Sequence, residues 1–245
     1  MRRARLWSYL LWQARDFVFE RGVPLLIVAT LMAFPIIMGL RELREQTPLG
    51  TQGVISARYA VVSLFAEFSL IAVLIGINGV VSNDRVRGYY RFLFAKPVSI
   101  PRYYAQAYIV NGLGLLITAL GVLGAIYALG YPVFPARVLL TMGLVYLSLG
   151  GLGFFYSTLA RFDWVLMGAT WGLAQVLRAV YPAHASRAGQ VLDVILPPFH
   201  RLRDVGLQLA RGEGPDSTLL VWLLGWGISG VIIGLIILRR RPLAS

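Results

Sequence analysis

Cysteine is absent from the 245 residues, which removes disulfides, thiolate metal sites and cysteine nucleophiles together. Lysine occurs once, at Lys96, inside Ala-Lys-Pro. A phosphate-binding loop of the Walker type needs Gly-Lys-Ser or Gly-Lys-Thr, so the chain has no such loop with which to hydrolyse ATP. The two histidines, His184 and His200, are isolated from each other and from any acidic cluster, and no metal site is expected. Asp and Glu total 11, and no Asp-x-x-Asp or Glu-x-x-His pair stands in or beside an apolar run. That argues against a metal-dependent headgroup transferase and an intramembrane metalloprotease. A serine or aspartyl intramembrane protease would need its nucleophile or two acids within spans, where only Glu67 is available. The expectation is a non-enzyme with no catalytic residue and no cofactor of its own.

What is present is apolar surface. Hydrophobic residues make up 58% of the chain against 14% charged, and the mean hydropathy is +0.70, too apolar for a soluble domain. The composition predicts an all-α polytopic membrane protein. The net charge of +12 could suggest nucleic acid, but the basic residues gather at the ends of apolar runs. Topology and anionic membrane lipids account for them, and no nucleic-acid partner is expected.

Six spans are predicted in a single transmembrane domain, at residues 22–40, 57–81, 105–129, 138–159, 164–181 and 219–238. Residues 1–21 read as an amphipathic interfacial helix, with Trp7, Leu10, Leu11, Ala14, Phe17 and Val18 on one face. Gln13, Arg15 and Asp16 interrupt any signal-peptide core there. Pro35 is expected to kink the first span. Residues 41–56 read as an external loop, and residues 182–217 as a second one holding two short interfacial helices around Pro197-Pro198. Gly150, Gly151 and Gly153 would admit close helix approach, and the Gly168/Gly172 and Gly230/Gly234 pairs favour packing within the chain over a dimer face. On this topology Lys and Arg number 14 inside and 9 outside, which places both termini in the cytoplasm.

Two features invite a functional reading. Glu67 is the one acid deep in a span, where a charge costs about 2.5–3.5 kcal/mol on insertion scales. It is either a protonated glutamate bonded to a group such as Asn111 or Thr118, or a polar contact lining a substrate path. The other feature is residues 83–104, which carry Arg85, Arg87, Arg91, Lys96 and Arg102 against Asp84 alone and so read as cytoplasmic. Gly88 to Ala95 suits a helix of about two turns, stopped by Pro97 and Pro101, too short to stand alone. It is a docking element or a solvated loop at the headgroups.

Asp84-Arg85-x-Arg87-Gly88, then Phe92-Leu93, then Pro97-Val98-Ser99 resembles the cytoplasmic loop of type-2 ABC exporter permeases. Asn83-Asp84 stands where that family usually has glutamates, and Tyr89 where it usually has threonine. The resemblance implies that Asp84, Arg85, Arg87, Gly88, Tyr89, Arg91, Phe92, Leu93, Pro97, Val98 and Ser99 couple the chain to a separate ABC ATPase subunit. Two such ATPases would bind ATP and Mg, and a second permease copy or a paralogue would complete the pathway, in the inner membrane of a prokaryote. It also implies that the N-terminal helix approaches the ATPase and that the 182–217 element caps the exit. The transported substrate is not legible. The alternatives are an ATP-independent secondary transporter with Glu67 as proton-coupling group, or a membrane assembly factor. No internal repeat of the kind frequent in secondary transporters relates residues 22–130 to 138–238.

Overall fold

The structure is a computed structural model that describes residues 2–46, 51–86, 99–130, 135–160, 162–183, 185–197, 199–211 and 213–240. Helices α1 (Arg2–Phe17) and α2 (Val23–Gln46) are joined by a π-helical turn, Val18–Gly22. They are followed by α3 (Thr51–Ile77), α4 (Ser82–Val86) and α5 (Ile100–Ala128). Then α6 (Pro135–Val145), a second π turn (Tyr146–Gly150) and α7 (Gly151–Leu159) form one continuous helix. Last come α8 (Asp163–Val180), α9 (Arg187–Ile195), α10 (Phe199–Arg211) and α11 (Ser217–Arg240). No strand occurs among the described residues. Five stretches are long and apolar enough to cross a membrane: Tyr9–Gly39, Ser63–Asp84, Ile100–Ala128, Pro135–Leu159 and Ser217–Arg240.

Three boundaries differ from those expected of the sequence. The interfacial helix and the first span are not separate pieces. The apolar stretch begins at Tyr9, and α1 passes into α2 through the π turn, where the Val23 amide donates to the Val18 carbonyl five residues back. Pro24 explains the widening, because its ring has no N–H for the carbonyl one turn earlier and would collide with it in a regular helix. The expected loop 41–56 is largely helix, with α2 continuing to Gln46 and α3 starting at Thr51. Arg, Glu, Leu and Gln are good helix formers, so α2 outlasts its apolar run and continues to Gln46. The expected fifth span is a helix, α8, but it is not among the five apolar stretches, since Asp163, Gln175 and Arg178 dilute its 18 residues. Pro35 lies inside α2, which runs through it unbroken.

The core is formed by α3 and the α6–α7 helix, the most enclosed of the apolar stretches, wrapped by α2, α5, α10 and α11. Glycine sets the closest approach. A Cβ on Gly230 would lie 2.6 Å from the Gly151 carbonyl oxygen, and one on Gly151 would overlap the Gly227 carbonyl. Thus α11 and α7 touch backbone to backbone, as small residues allow in lipid. Gly168 and Gly172 share the Gly230/Gly234 spacing but have nothing within 4 Å of an added Cβ.

At one end of the bundle α9 and α10 occupy the stretch where two short helices are expected. The Ser186 side chain caps α9 by accepting from the Gly189 amide. Leu202, Val205 and Leu209 of α10 are buried, and Gly206 fits against Ala66 of α3. The Arg201 guanidinium pairs with Asp193 and stacks over the Trp222 ring, 4.9 Å from its centroid. Arg178 contributes an Nη2 donor to the Pro197 carbonyl (2.9 Å) and an ion pair to Asp193 (3.6 Å).

Candidate functional site at the opposite end of the bundle

Four helices bring their ends together around the turn that leaves α3. After Ile77 the chain turns through Asn78, Gly79, Val80 and Val81 into α4, and Gly79 has φ +72°. Only glycine takes that conformation cheaply, and a Cβ there would collide with the Asn83 side chain. The carbonyls that end α3 have no helical partner. Arg21, from the π turn, supplies donors to them, from Nη1 to the Gly76 oxygen (2.6 Å) and from Nη2 to the Asn78 oxygen (3.4 Å). A cation there also opposes the negative end of the helix dipole.

Asp163 secures the other side. Its carboxylate, 3% exposed, accepts from the Gly79 amide (2.8 Å), the Ser82 hydroxyl (3.4 Å) and its neighbour Trp164 (2.9 Å). Placed in the first turn of α8, it also neutralises the positive end of that helix. The turn is therefore clamped between an arginine from the α1–α2 junction and an aspartate from α8.

The segment beyond the turn is closed at its base. Asp84, half-buried on α4, accepts a hydrogen bond from Tyr104 Oη on α5 (3.1 Å), so the entry and exit of residues 85–99 are tied together. Gln13 of α1 donates from Nε2 to the Tyr103 carbonyl (3.2 Å), and Tyr9 meets the Tyr103 ring edge-on. One layer deeper, Tyr108 and Tyr146 each donate a phenolic hydrogen bond to the other's carbonyl, at 3.3 Å from Tyr108 Oη. Gly112 leaves room for the Tyr146 ring, which would meet a Cβ at 2.6 Å. This exchange supplies donors beside the second π turn, where the regular helical ladder is interrupted.

Of the residues singled out in the sequence, Asp84 lies in this junction, Arg85 is on α4 and Ser99 flanks the start of α5. Arg87, Gly88, Tyr89, Arg91, Phe92, Leu93, Pro97 and Val98 lie outside the described residues. Glu67 is exposed on α3, whereas Asn111 and Thr118 are buried and the Thr118 hydroxyl donates to the Gly114 carbonyl of its own helix. Arg21, Gln13 and Asp163 were not among the candidate site residues. For Asp163 a signal existed, an acid opening a helix directly after a tight turn. For Arg21 and Gln13 there was none, because their partners are backbone carbonyls 55 and 90 residues away. Among the described residues no group of three His, Cys, Asp or Glu could hold a metal ion.

Comparison of the chain with protein-family models, curated proteins and solved structures finds no match.

Proposed function

We propose that this chain is the membrane permease subunit of an ATP-driven ABC exporter, with residues 83–104 as its cytoplasmic coupling segment. The observation that carries the reading is the anchorage of that segment. Its base is bonded at once to α3, α5, α8 and the α1–α2 junction through Asp84–Tyr104, Gly79–Asp163 and Arg21–Gly76. A force applied to a loop so tied passes to four helices together, which is what mechanical coupling to an ATPase requires. The basic charge of the loop and its sequence resemblance supply the rest. In this reading α8 is the fifth of six spans, both termini are cytoplasmic, two ATPase subunits bind ATP and Mg, and a second permease copy or paralogue completes the pathway. The α9–α10 element then lies at the external face as its cap.

Glu67 fits the same arrangement. A carboxyl exposed on the chain's outer surface about 15 Å from the end of α3 would meet hydrocarbon in a monomer. A second permease or a watered path between two copies removes that cost. Glu67→Gln is expected to preserve assembly and transport, and Glu67→Leu to preserve assembly while impairing transport; unchanged transport in both variants removes Glu67 from the pathway.

The coupling assignment is tested by purifying the chain in mild detergent from its native membrane, intact or as Arg87→Glu/Arg91→Glu. A soluble ATPase is expected to co-purify with the first and be released by the second, as reversal of two charges at a contact costs several kcal/mol. Recovery of no ATPase, even after crosslinking, overturns the reading.

A further inference from the structure

Helix α8 turns most of its surface away from the rest of the chain. Of its 18 residues only Asp163, Met167 and Ala174 are buried, and its main neighbours are α7 and α9. At 3.6 residues per turn, the opposite face carries Gly168, Ala169, Gly172, Gln175 and Ala179. The outward faces of α5 and α11 present large aliphatic side chains such as Leu113, Ile117, Ile228 and Ile232, which suit hydrocarbon. The outward face of α8 is small and polar at its centre.

Gln175 makes that difference matter. It is exposed about 18 Å from the start of α8, and its carboxamide bonds to no described residue. With α8 as a span, that depth lies within a hydrocarbon core about 30 Å thick. Exposed hydroxyls on other spans are satisfied inside their own helices, Thr30 by the Leu26 carbonyl and Ser229 by the Trp226 carbonyl. An amide left against lipid forfeits its hydrogen bonds with nothing in return.

We propose that this face of α8 is the seam of a homodimer, in which α8 packs on α8 of a second copy of this chain about a two-fold axis beside Gly172. Complementarity selects a second copy over a different partner. A carboxamide carries both donors and an acceptor, so two Gln175 side chains related by the axis satisfy each other. The small residues let the two backbones approach closely, and a Cβ on Gly168 or Gly172 has nothing of its own chain within 4 Å. Trp164 and Trp171, 62% and 52% exposed along one edge, then cover the small face of the facing helix. One consequence rests on the permease reading. Asp163, in the first turn of α8, accepts from Gly79 at the base of residues 83–104, so a pull on that segment in either copy reaches the contact between the copies.

The full-length chain has no cysteine, so single cysteines report contacts without background. Gly172→Cys is oxidised with iodine in native membranes beside two controls, Leu173→Cys at the same depth on another side of α8 and Ile117→Cys on α5, and any adduct is weighed by mass spectrometry. Gly172→Cys is expected to give an adduct of twice the chain mass, at about tenfold the yield of either control. Copy number in liposomes, counted by single-molecule photobleaching at falling protein-to-lipid ratio, reads the affinity. Gly168→Leu/Gly172→Leu, whose side chains meet open space in their own chain, is expected to weaken the dimer by about tenfold or more. Gln175→Leu is expected to weaken it about threefold, the equivalent of about 0.6 kcal/mol. Equal yields at all three positions mean random collision, no adduct at Gly172→Cys places the seam elsewhere, and an adduct of any other mass means a different partner; each overturns the proposal without the leucine variants. A double leucine variant that dimerises as the unaltered chain does also overturns it. No readout involves an ATPase, so the dimer and the permease reading stand or fall separately.

Discussion

Gly227→Ala is expected to be the most damaging single methyl addition among the described glycines. Its Cβ would fall well inside contact distance of the Leu147 carbonyl and 2.9 Å from the Ser148 Cα, so every nearest neighbour is backbone. No rotamer change relieves such an overlap, and α11 has to move away from the second π turn and α7. Overpacking of a core ordinarily costs about 1–3 kcal/mol and occasionally more. Here the upper end is expected, because separation of the two helices also forfeits the fits of Gly151 and Gly230 against the facing backbones. The check is the yield of monodisperse protein and its thermal midpoint in detergent. Gly168→Ala and Gly172→Ala are the controls: with open space at both positions they are expected to change stability by no more than about 0.5–1 kcal/mol, in the stabilising direction if at all. Equal losses in Gly227→Ala and Gly168→Ala would contradict the packing of α11 on α7.

Asp163→Ala is the second large effect. It removes the acceptor of the buried Gly79 amide, and leaving such a group unsatisfied costs about 1–3 kcal/mol. It also removes the anion from the first turn of α8, worth about 0.3–1 kcal/mol more. At roughly 2–4 °C per kcal/mol for a chain of this length, the midpoint falls by several degrees. Asp163→Asn retains a side-chain acceptor and is expected to lose less than half as much. Local loosening is read separately by limited trypsin digestion, with cleavage after Arg85 and Arg87 expected to quicken in Asp163→Ala before global unfolding. A midpoint and digestion rate equal to those of the unaltered chain would mean that Asp163 does not hold the turn.

These two positions also show why part of the molecule was legible from residues alone and part was not. The Gly168/Gly172 and Gly230/Gly234 pairs have the same spacing, yet one pair is packed and the other open. Spacing reports which residues share a helix face. It does not report what that face meets. Likewise Gln13 and Asp16 stood out as interruptions of an apolar run, and the structure puts both in the wall of one recess with Asp84. The helix boundaries near Arg21 and Arg41 were misplaced because the ends of apolarity were read as the ends of helices. Backbone hydrogen bonding persists through Arg, Glu and Gln as readily as through Leu.

By itself the sequence determined the class of the molecule, because long apolar runs with charges at their ends have no stable home except a bilayer, and a bilayer admits helices whose backbone groups are satisfied internally. It also marked residues 83–104 as the basic segment between two apolar runs. Only the tertiary structure decided which polar side chains act together. Arg21, Asp84, Tyr104 and Asp163 come from the α1–α2 junction and three separate helices, and nothing in local periodicity relates them. They meet because the turn after α3 leaves unpaired carbonyls and an amide at a low-dielectric helix end, and only residues brought there by packing can satisfy them.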